Sequence, residues 1–421
     1  MKGHLNPRCQ RLSHMLSIVF RGLRLPLIAV LALLAYQPVS NNSVIAASFM
    51  EEIIDKEDGW VDGSDWVLEN AAGFLPVPII ITEPAVGDGL GLAAVFFHPP
   101  DDYDENARDA RRADGEVSRG KDDYILPDVS VVAAGATEND SWFVGGGHIA
   151  HWKNDHIRFQ GVAGYASINT TFYGIAERPG NDRGIKFNAE GFFIDLPLAF
   201  RITDSDFFIG GGYSYTTLDT TTDLSNVLPP WLQAPAFNRL NLDTTLSSME
   251  AFVQFDNRDN IFTPNTGFDG ELSVARNDEA IGSDWEFTRI NAEGHQYFRA
   301  GEKFVIGLRG DYAQVNGSTP FFAVPFIQLR GIPALRYQGE SVLVGETEVR
   351  WAFHHRFSAV GFVGAGKAAQ SFGDLNSQPT RVTKGAGIRY LTLRKLGMHA
   401  GIDVAKGPED TYWYLTVGSS W

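Results

Sequence analysis

Beyond a 12-residue apolar run near its start, Leu25 to Tyr36, itself too short to cross a bilayer as a helix, the chain has no apolar run of helix-spanning length. A transmembrane helix takes roughly 20 apolar residues, so everything beyond residue 46 can enter a membrane only as strands. Apolar residues there recur at every second position, the β period rather than the helical one. Over 303–314, Phe304, Ile306, Leu308, Gly310 and Tyr312 share one face, and Arg309 and Asp311 share the other. Over 285–297, Arg289, Asn291, Glu293 and His295 oppose Ile290, Ala292 and Gly294. Over 346–354, Glu346, Glu348, Arg350 and His354 oppose Thr347, Val349, Trp351 and Phe353. Over 398–404, Met398, Ala400, Ile402 and Val404 oppose His399 and Asp403. A soluble sandwich alternates in the same way, so the choice between sandwich and membrane barrel falls to the two termini.

The N-terminus reads as an export signal. Lys2, Arg8, Arg11, Arg21 and Arg24 precede or flank the apolar run, no acidic residue occurs in 1–46, and Val44-Ile45-Ala46-Ala47 supplies small residues for cleavage. The C-terminus reads as a final lipid-facing strand. In 411–421, Trp413, Leu415, Val417 and Trp421 fall on one face and the chain stops on the aromatic, as expected of an insertion signal read by barrel-insertion machinery. The 44 glycines and 29 phenylalanines fit a barrel, whose interface girdles are aromatic.

The expected fold is therefore all-β, a transmembrane antiparallel barrel of about 16 strands. These lie at 76–82, 89–98, 124–136, 141–152, 156–172, 185–201, 206–219, 246–258, 267–277, 285–298, 303–315, 341–354, 357–369, 381–393, 397–405 and 411–421. Connections alternate between short (153–155, 202–205, 299–302, 355–356) and long (173–184, 220–245, 316–340, 370–380), as periplasmic turns and external loops do. The charged stretch 99–123 is the exception, being long on the short side. Pro229, Pro230, Trp231 and Pro235 mark 220–245 as an ordered surface loop. The organisation is a signal peptide at 1–46, an acidic segment at 47–73 serving as periplasmic tail or lumen plug, and a barrel at 74–421.

Chemistry is narrowed by what the residues lack. The only cysteine, Cys9, lies in the presequence, so the mature chain has no thiol nucleophile, disulfide or zinc–thiolate site, and no lipidation at the cleavage point. Losing five positive charges with the presequence takes the net charge from −16 to −21, which argues against nucleic acid as a partner. No hydrolase, zincin or phosphate-loop motif occurs. His399 and Asp403 share a face but stand about 13 Å apart at strand spacing. His148 and His151 point to opposite faces. The reading is a non-enzymatic protein without cofactor or metal, whose partners are outer-membrane lipids and, during biogenesis, the insertion machinery.

Three stretches resemble the BamA/TamA superfamily of bacterial surface antigens, and the likeness spans nearly all of 74–421. The first is Pro78-Ile-Ile-Ile-Thr-Glu-Pro-Ala-Val-Gly-Asp-Gly-Leu-Gly91, similar to the family's first hairpin. The second is a turn carrying Asp256, Arg258, Asp259, Pro264 and Gly267. The third is Leu329-Arg330-Gly331 followed by Gly345-Glu346-Thr-Glu348-Val-Arg350 and Phe362-Val-Gly364-Ala-Gly366. The resemblance implies a loop tip folded back into the barrel, its arginine held by acids on the next two strands. Arg330 and Gly331 match the tip, Glu348 matches the first acid, and Glu346 lies close enough to assist. Ile332 stands in place of the usual aromatic, and Gly364 in place of the second acid, so Arg330 is expected to keep a single main partner. After the expected presequence only about 25 residues, 48–73, precede the first strand, too few for the POTRA domains of the family's best-known members.

The implied function is insertion or transport of protein or lipid at the bacterial outer membrane. A passive pore and a structural surface antigen are the alternatives. A loop folded into the lumen argues against a wide pore.

Overall fold

The computed structural model describes residues 54–55, 58–64, 74–98, 128–153, 155–173, 184–223 and 239–421. Sixteen strands follow one another: β1 (Phe74–Ile81), β2 (Gly89–His98), β3 (Asp128–Thr137), β4 (Trp142–Trp152), β5 (Ile157–Phe172) and β6 (Ile185–Arg201). Then come β7 (Phe207–Asp223), β8 (Arg239–Asp256), β9 (Gly267–Asn277), β10 (Phe287–Ala300) and β11 (Phe304–Gly317). The last are β12 (Ser341–Ala352), β13 (Phe357–Ala369), β14 (Arg381–Leu393), β15 (Met398–Lys406) and β16 (Thr411–Val417). Each pairs antiparallel with its sequence neighbours in a single 16-stranded sheet whose two edges are β1 and β16. The sheet curls into a nearly closed barrel, as the all-β reading expects.

Alternation sorts the side chains. Leu92, Val132, Ile209, Met249, Leu272, Val363, Ile388 and Ile402 point outward and are more than half exposed. Soluble proteins do not present such a belt; it is the lipid-facing exterior of a membrane barrel. At the short-turn end the belt closes in aromatics: Trp152, Phe200, Phe207, Phe298, Phe304, Trp351 and Phe353. At the other end, Trp142 stacks on Tyr165 at 5.8 Å. Strands β5 to β8 run 16 to 18 residues and continue past that level. Their extensions are rich in threonine and aspartate.

The interior has two halves. Along β8 to β12 it is charged, with Asp269, Arg289, His295 and Glu346 each buried. Along β1 to β5 it is apolar, with Val77, Ile79, Val95, Ala133, Phe143 and Ile168 packed with Phe322, Val324 and Leu335 of the β11–β12 loop.

Two expectations are corrected. The last strand stops at Val417, because Gly418 has φ +76° and its N–H bonds to the His399 carbonyl at 2.7 Å. Trp421 therefore does not share the outer face of Trp413. It lies inside, its ring 5.8 Å from His295 and 5.7 Å from Tyr297. Strands β7 and β8 reach Asp223 and start at Arg239, shortening the loop expected at 220–245. The signal peptide, the connection at 99–123 and the proline-rich stretch with Pro229, Pro230, Trp231 and Pro235 lie outside the described residues.

The described part of the acidic segment is neither a free tail nor a lumen plug. It sits against the short-turn end of β12 to β15. Asp55, Asp58 and Asp62 surround Arg356 of the β12–β13 turn at 2.6, 2.5 and 2.8 Å. Trp60 packs on Phe357 and His354, with the Phe357 ring centroid 5.2 Å away. Phe357 belongs to the outward set of β13, so this strap lies on the outside of the rim. The hydrogen bond from Arg356 holds the Asp58 carboxyl well below the usual carboxylate range.

Candidate functional site: a loop locked into the barrel

The β11–β12 loop, 318–340, folds into the lumen. It closes on itself through the Ile327 N–H to the Tyr337 carbonyl, 2.9 Å, and Gly339 N–H to the Pro325 carbonyl, 3.0 Å. Ile327, Leu329, Ile332 and Tyr337 bury against Val342 and Val344 of β12. Glycines 364 and 366 of β13 make the seat. A Cβ at Gly364 would stand 2.7 Å from Leu329, and one at Gly366 would stand 2.5 Å from Ile327. The position where the family carries a second acid is thus a place where this loop needs space. Ile332, in the aromatic's place, belongs to the same apolar contact.

Arg330 is the centre of the lock. Its Nε donates to Glu346 Oε1 at 3.0 Å and its Nη2 reaches the same oxygen. Its Nη1 lies 2.8 Å from Glu348 Oε2, 2.7 Å from Asp403 Oδ2 and 2.9 Å from Ser420 Oγ. The guanidinium carbon sits 3.5 Å over the Phe362 ring, a cation–π contact. Arg389 of β14 bonds the same Asp403 from the other side. Arg309 of β11 approaches Glu346 at 3.8 Å and pairs with Asp311. Each charge in this cluster is compensated, which a confined interior requires. The planar fork of arginine suits partners in several directions.

The single main partner expected for Arg330 is therefore too few. Glu346 is a full partner, and Asp403 supplies the acid that Gly364 does not. Asp403 comes from β15, three strands away from Glu346. Alternation showed it pointing inward, but nothing in the sequence could place it across the barrel beside Arg330. Arg389 and Ser420 were missed for the same reason.

Gly331 follows at φ +95°, a conformation that favours glycine. Its N–H donates to the Tyr414 hydroxyl at 2.8 Å. The backbone there passes so close to Gly407 that a Cβ on Gly407 would overlap the Gly331 carbonyl oxygen, at 1.8 Å. Farther along the loop, Arg336 and Tyr337 both hold Glu409 of the β15–β16 turn, and the Ala334 N–H donates to Glu83 of the β1–β2 turn at 3.1 Å. The loop thus spans from one sheet edge to the other.

The second motif closes the opposite end. Arg258 pairs with Asp256 through two bonds, 3.0 and 3.2 Å, and approaches Asp269 at 3.5 Å. The Asp259 carboxylate accepts the N–H groups of Asn265 and Thr266. Gly267 has φ +106° and lies against Asn257. So shaped, the turn reaches across the lumen. The Pro264 carbonyl accepts Arg350 Nη2 at 3.0 Å, the Asn260 amide donates to the Leu396 carbonyl at 2.9 Å, and the Phe262 carbonyl accepts Ser419 N–H. Ser419 belongs to the inward C-terminal tail, whose Ser420 reaches Arg330. The three stretches singled out in the sequence therefore meet in one interior network, with Trp413 and Leu415 left on the outer wall.

These features define a membrane-type 16-stranded barrel with an open seam and a lumen obstructed by its own loop, turn and tail. No family model and no curated protein matches the sequence. Among solved structures, the chain is similar to BamA from Haemophilus ducreyi lacking POTRA domains 1–3, at 12% identity over 88% of this chain and 81% of that one, with a TM-score of 0.51. It is also similar to CdiB from Escherichia coli, at 10% identity over 82% of this chain and 62% of the other, with a TM-score of 0.53. At such identities the likeness is one of fold.

Proposed function

We propose that this chain works in the bacterial outer membrane as a plugged barrel of the assembly and translocation kind. It inserts or moves protein or lipid by way of its lateral seam, not by conducting through an open lumen. The observation that carries this reading is the combination of a lumen obstructed at both ends with a sheet whose β1 and β16 edges are unpaired. The apolar outer belt and its aromatic rim support the membrane setting. The strongly acidic chain leaves nucleic acid without an electrostatic basis for binding. The Arg330 lock acts as a structural latch, with no role in bond chemistry.

A passive pore is the competing class, and planar-bilayer recording separates the two. The purified barrel should give small, irregular openings. Large steady conductance at the outset would favour the pore and overturn the plugged reading.

A further inference from the structure

The seam-facing edge of β1 is short of donors. In an antiparallel ladder, pairs that exchange both N–H···O bonds alternate with pairs that exchange none and turn their backbone groups the other way. Pro76 stands opposite Ala94 and Pro78 opposite Leu92. Proline has no N–H, so the bonded pairs are the odd-numbered ones, Val77 with Ala93 and Ile79 with Gly91. The residues of β1 that turn toward the seam are then Phe74, Pro76, Pro78 and Ile80. Two of these four cannot donate. A strand laid along this edge would leave carbonyls facing prolines, unsatisfied inside the membrane. The same deficit keeps β16 from closing the ladder.

Behind this edge lies a cavity of about 560 Å³ bordered by both edges, by Val77 and Ile79 of β1 and by Thr416 and Val417 of β16. That size falls in the roughly 300–1,000 Å³ range of ligand sites. Its wall on β1 to β3 is apolar on the lumen side, where barrel interiors are ordinarily polar. Val77, Ile79 and Val95 point inward there, while Leu90 and Leu92 of β2 point into the lipid on the other face. A hydrocarbon chain passing the β1 edge meets apolar side chains on both faces of the wall, those on the lumen side buried in one cluster with Phe322, Val324 and Leu335 of the loop. A peptide strand meets an edge that cannot bond it.

We propose that the seam admits the acyl chain of a membrane phospholipid, and that the cavity behind β1 to β3 holds it. Across from it, Glu250 and Glu271 together with Asp195, Asp256, Arg158 and Arg258 give the cavity a strongly charged side away from the chain. The inference rests on the membrane-barrel reading above and names the substrate class for its seam.

The test uses the mature full-length protein, folded into phospholipid vesicles doped with a phosphatidylcholine that carries a diazirine at the end of one acyl chain. After illumination, cross-linked residues are mapped by mass spectrometry. Cross-links at the inward Val77, Ile79 or Val95, together with the outward Leu90, Leu92 and Val132, are the expected result. Cross-links on the outward set alone would overturn the inference while leaving the membrane barrel intact. Cross-links on neither set would overturn both. In the double variant Pro76→Ala/Pro78→Ala, restored donors should let the edge bond, slow amide exchange along β1 and lower the inward yield about tenfold with the outward yield unchanged. An unchanged inward yield in that variant would overturn the claim that the prolines keep the seam open.

Discussion

Arg330 donates hydrogen bonds to, or pairs with, groups on β12, on β15 and on the C-terminal tail at once. Truncating one member of a buried pair typically costs about 3–5 kcal/mol, and water in the lumen should reduce this. Arg330→Ala is expected to release the loop, read as faster proteolysis near Pro333. Arg330→Lys should rescue little, since one ammonium cannot bond Glu346 and Asp403 from separate nitrogens. Glu346 is fully buried whereas Glu348 keeps some exposure, so Glu346→Ala should loosen the loop more than Glu348→Ala. A double-mutant cycle of Arg330 with Glu346 should show strong non-additivity; simple addition of the two losses would mean they do not act together. Arg330, Gly331 and Glu348 were legible because the loop tip and the following strand are close in sequence. Asp403 was not, because its contact with Arg330 depends on curvature that brings β15 toward the loop, and periodicity carries no information about that.

Strands that cross the lipid announce themselves, because one face must be apolar: β6, β9 and β13 begin and end where alternation says. The far ends of β7 and β8 do not. There the buried, inward positions are polar as well, Thr220, Thr222 and Thr244 among them, so the apolar alternation fades and the segment reads as loop. The final turn of the chain misleads differently. Trp421 keeps the parity of Trp413, and only the positive φ of Gly418 turns it inside. Deleting Trp421 should therefore act on the interior, leaving Gly307, His295 and Tyr297 without their covering ring. The folded, heat-modifiable band on a gel should convert to the unfolded one at lower temperature; an unchanged conversion temperature would show that the ring contributes nothing there. The strap around Arg356 has a pH signature. The folded Asp58 carboxyl titrates lower than its unfolded counterpart, so its contribution is complete above the unfolded value, about 4, and falls away as pH drops below it. Amide exchange in the strap, corrected for its intrinsic pH dependence, should quicken as pH falls below about 4, whereas Arg356→Ala should expose the strap to proteases already at neutral pH. Equal cleavage of the wild-type and Arg356→Ala straps at neutral pH would contradict the docking.

At the scale of the whole molecule, the barrel is a wall with its lumen filled by its own chain. The loop enters from one end and joins β1 to the β15–β16 turn, the 257–266 turn enters from the other, and the C-terminal tail links the two. Among the described residues, the only discontinuity in the sheet is then sideways, between β1 and β16. Membrane crossing and strand number were legible, since they follow from the apolar belt and the alternation. The closing of the lumen was legible only at the loop tip. Beyond Cys9 the chain has no cysteine, so in a Cys9→Ser background a single introduced thiol reports on the lock. Leu329→Cys places it beside Arg330, in a buried position; Asn376→Cys places a control in the exposed β13–β14 connection. With a membrane-impermeant maleimide on intact cells, the control should label quickly and the thiol at 329 at least tenfold more slowly, and Arg330→Ala should remove most of that difference. Equal labelling at 329 and 376 in the otherwise wild-type chain would contradict a locked loop, and with it the plugged barrel.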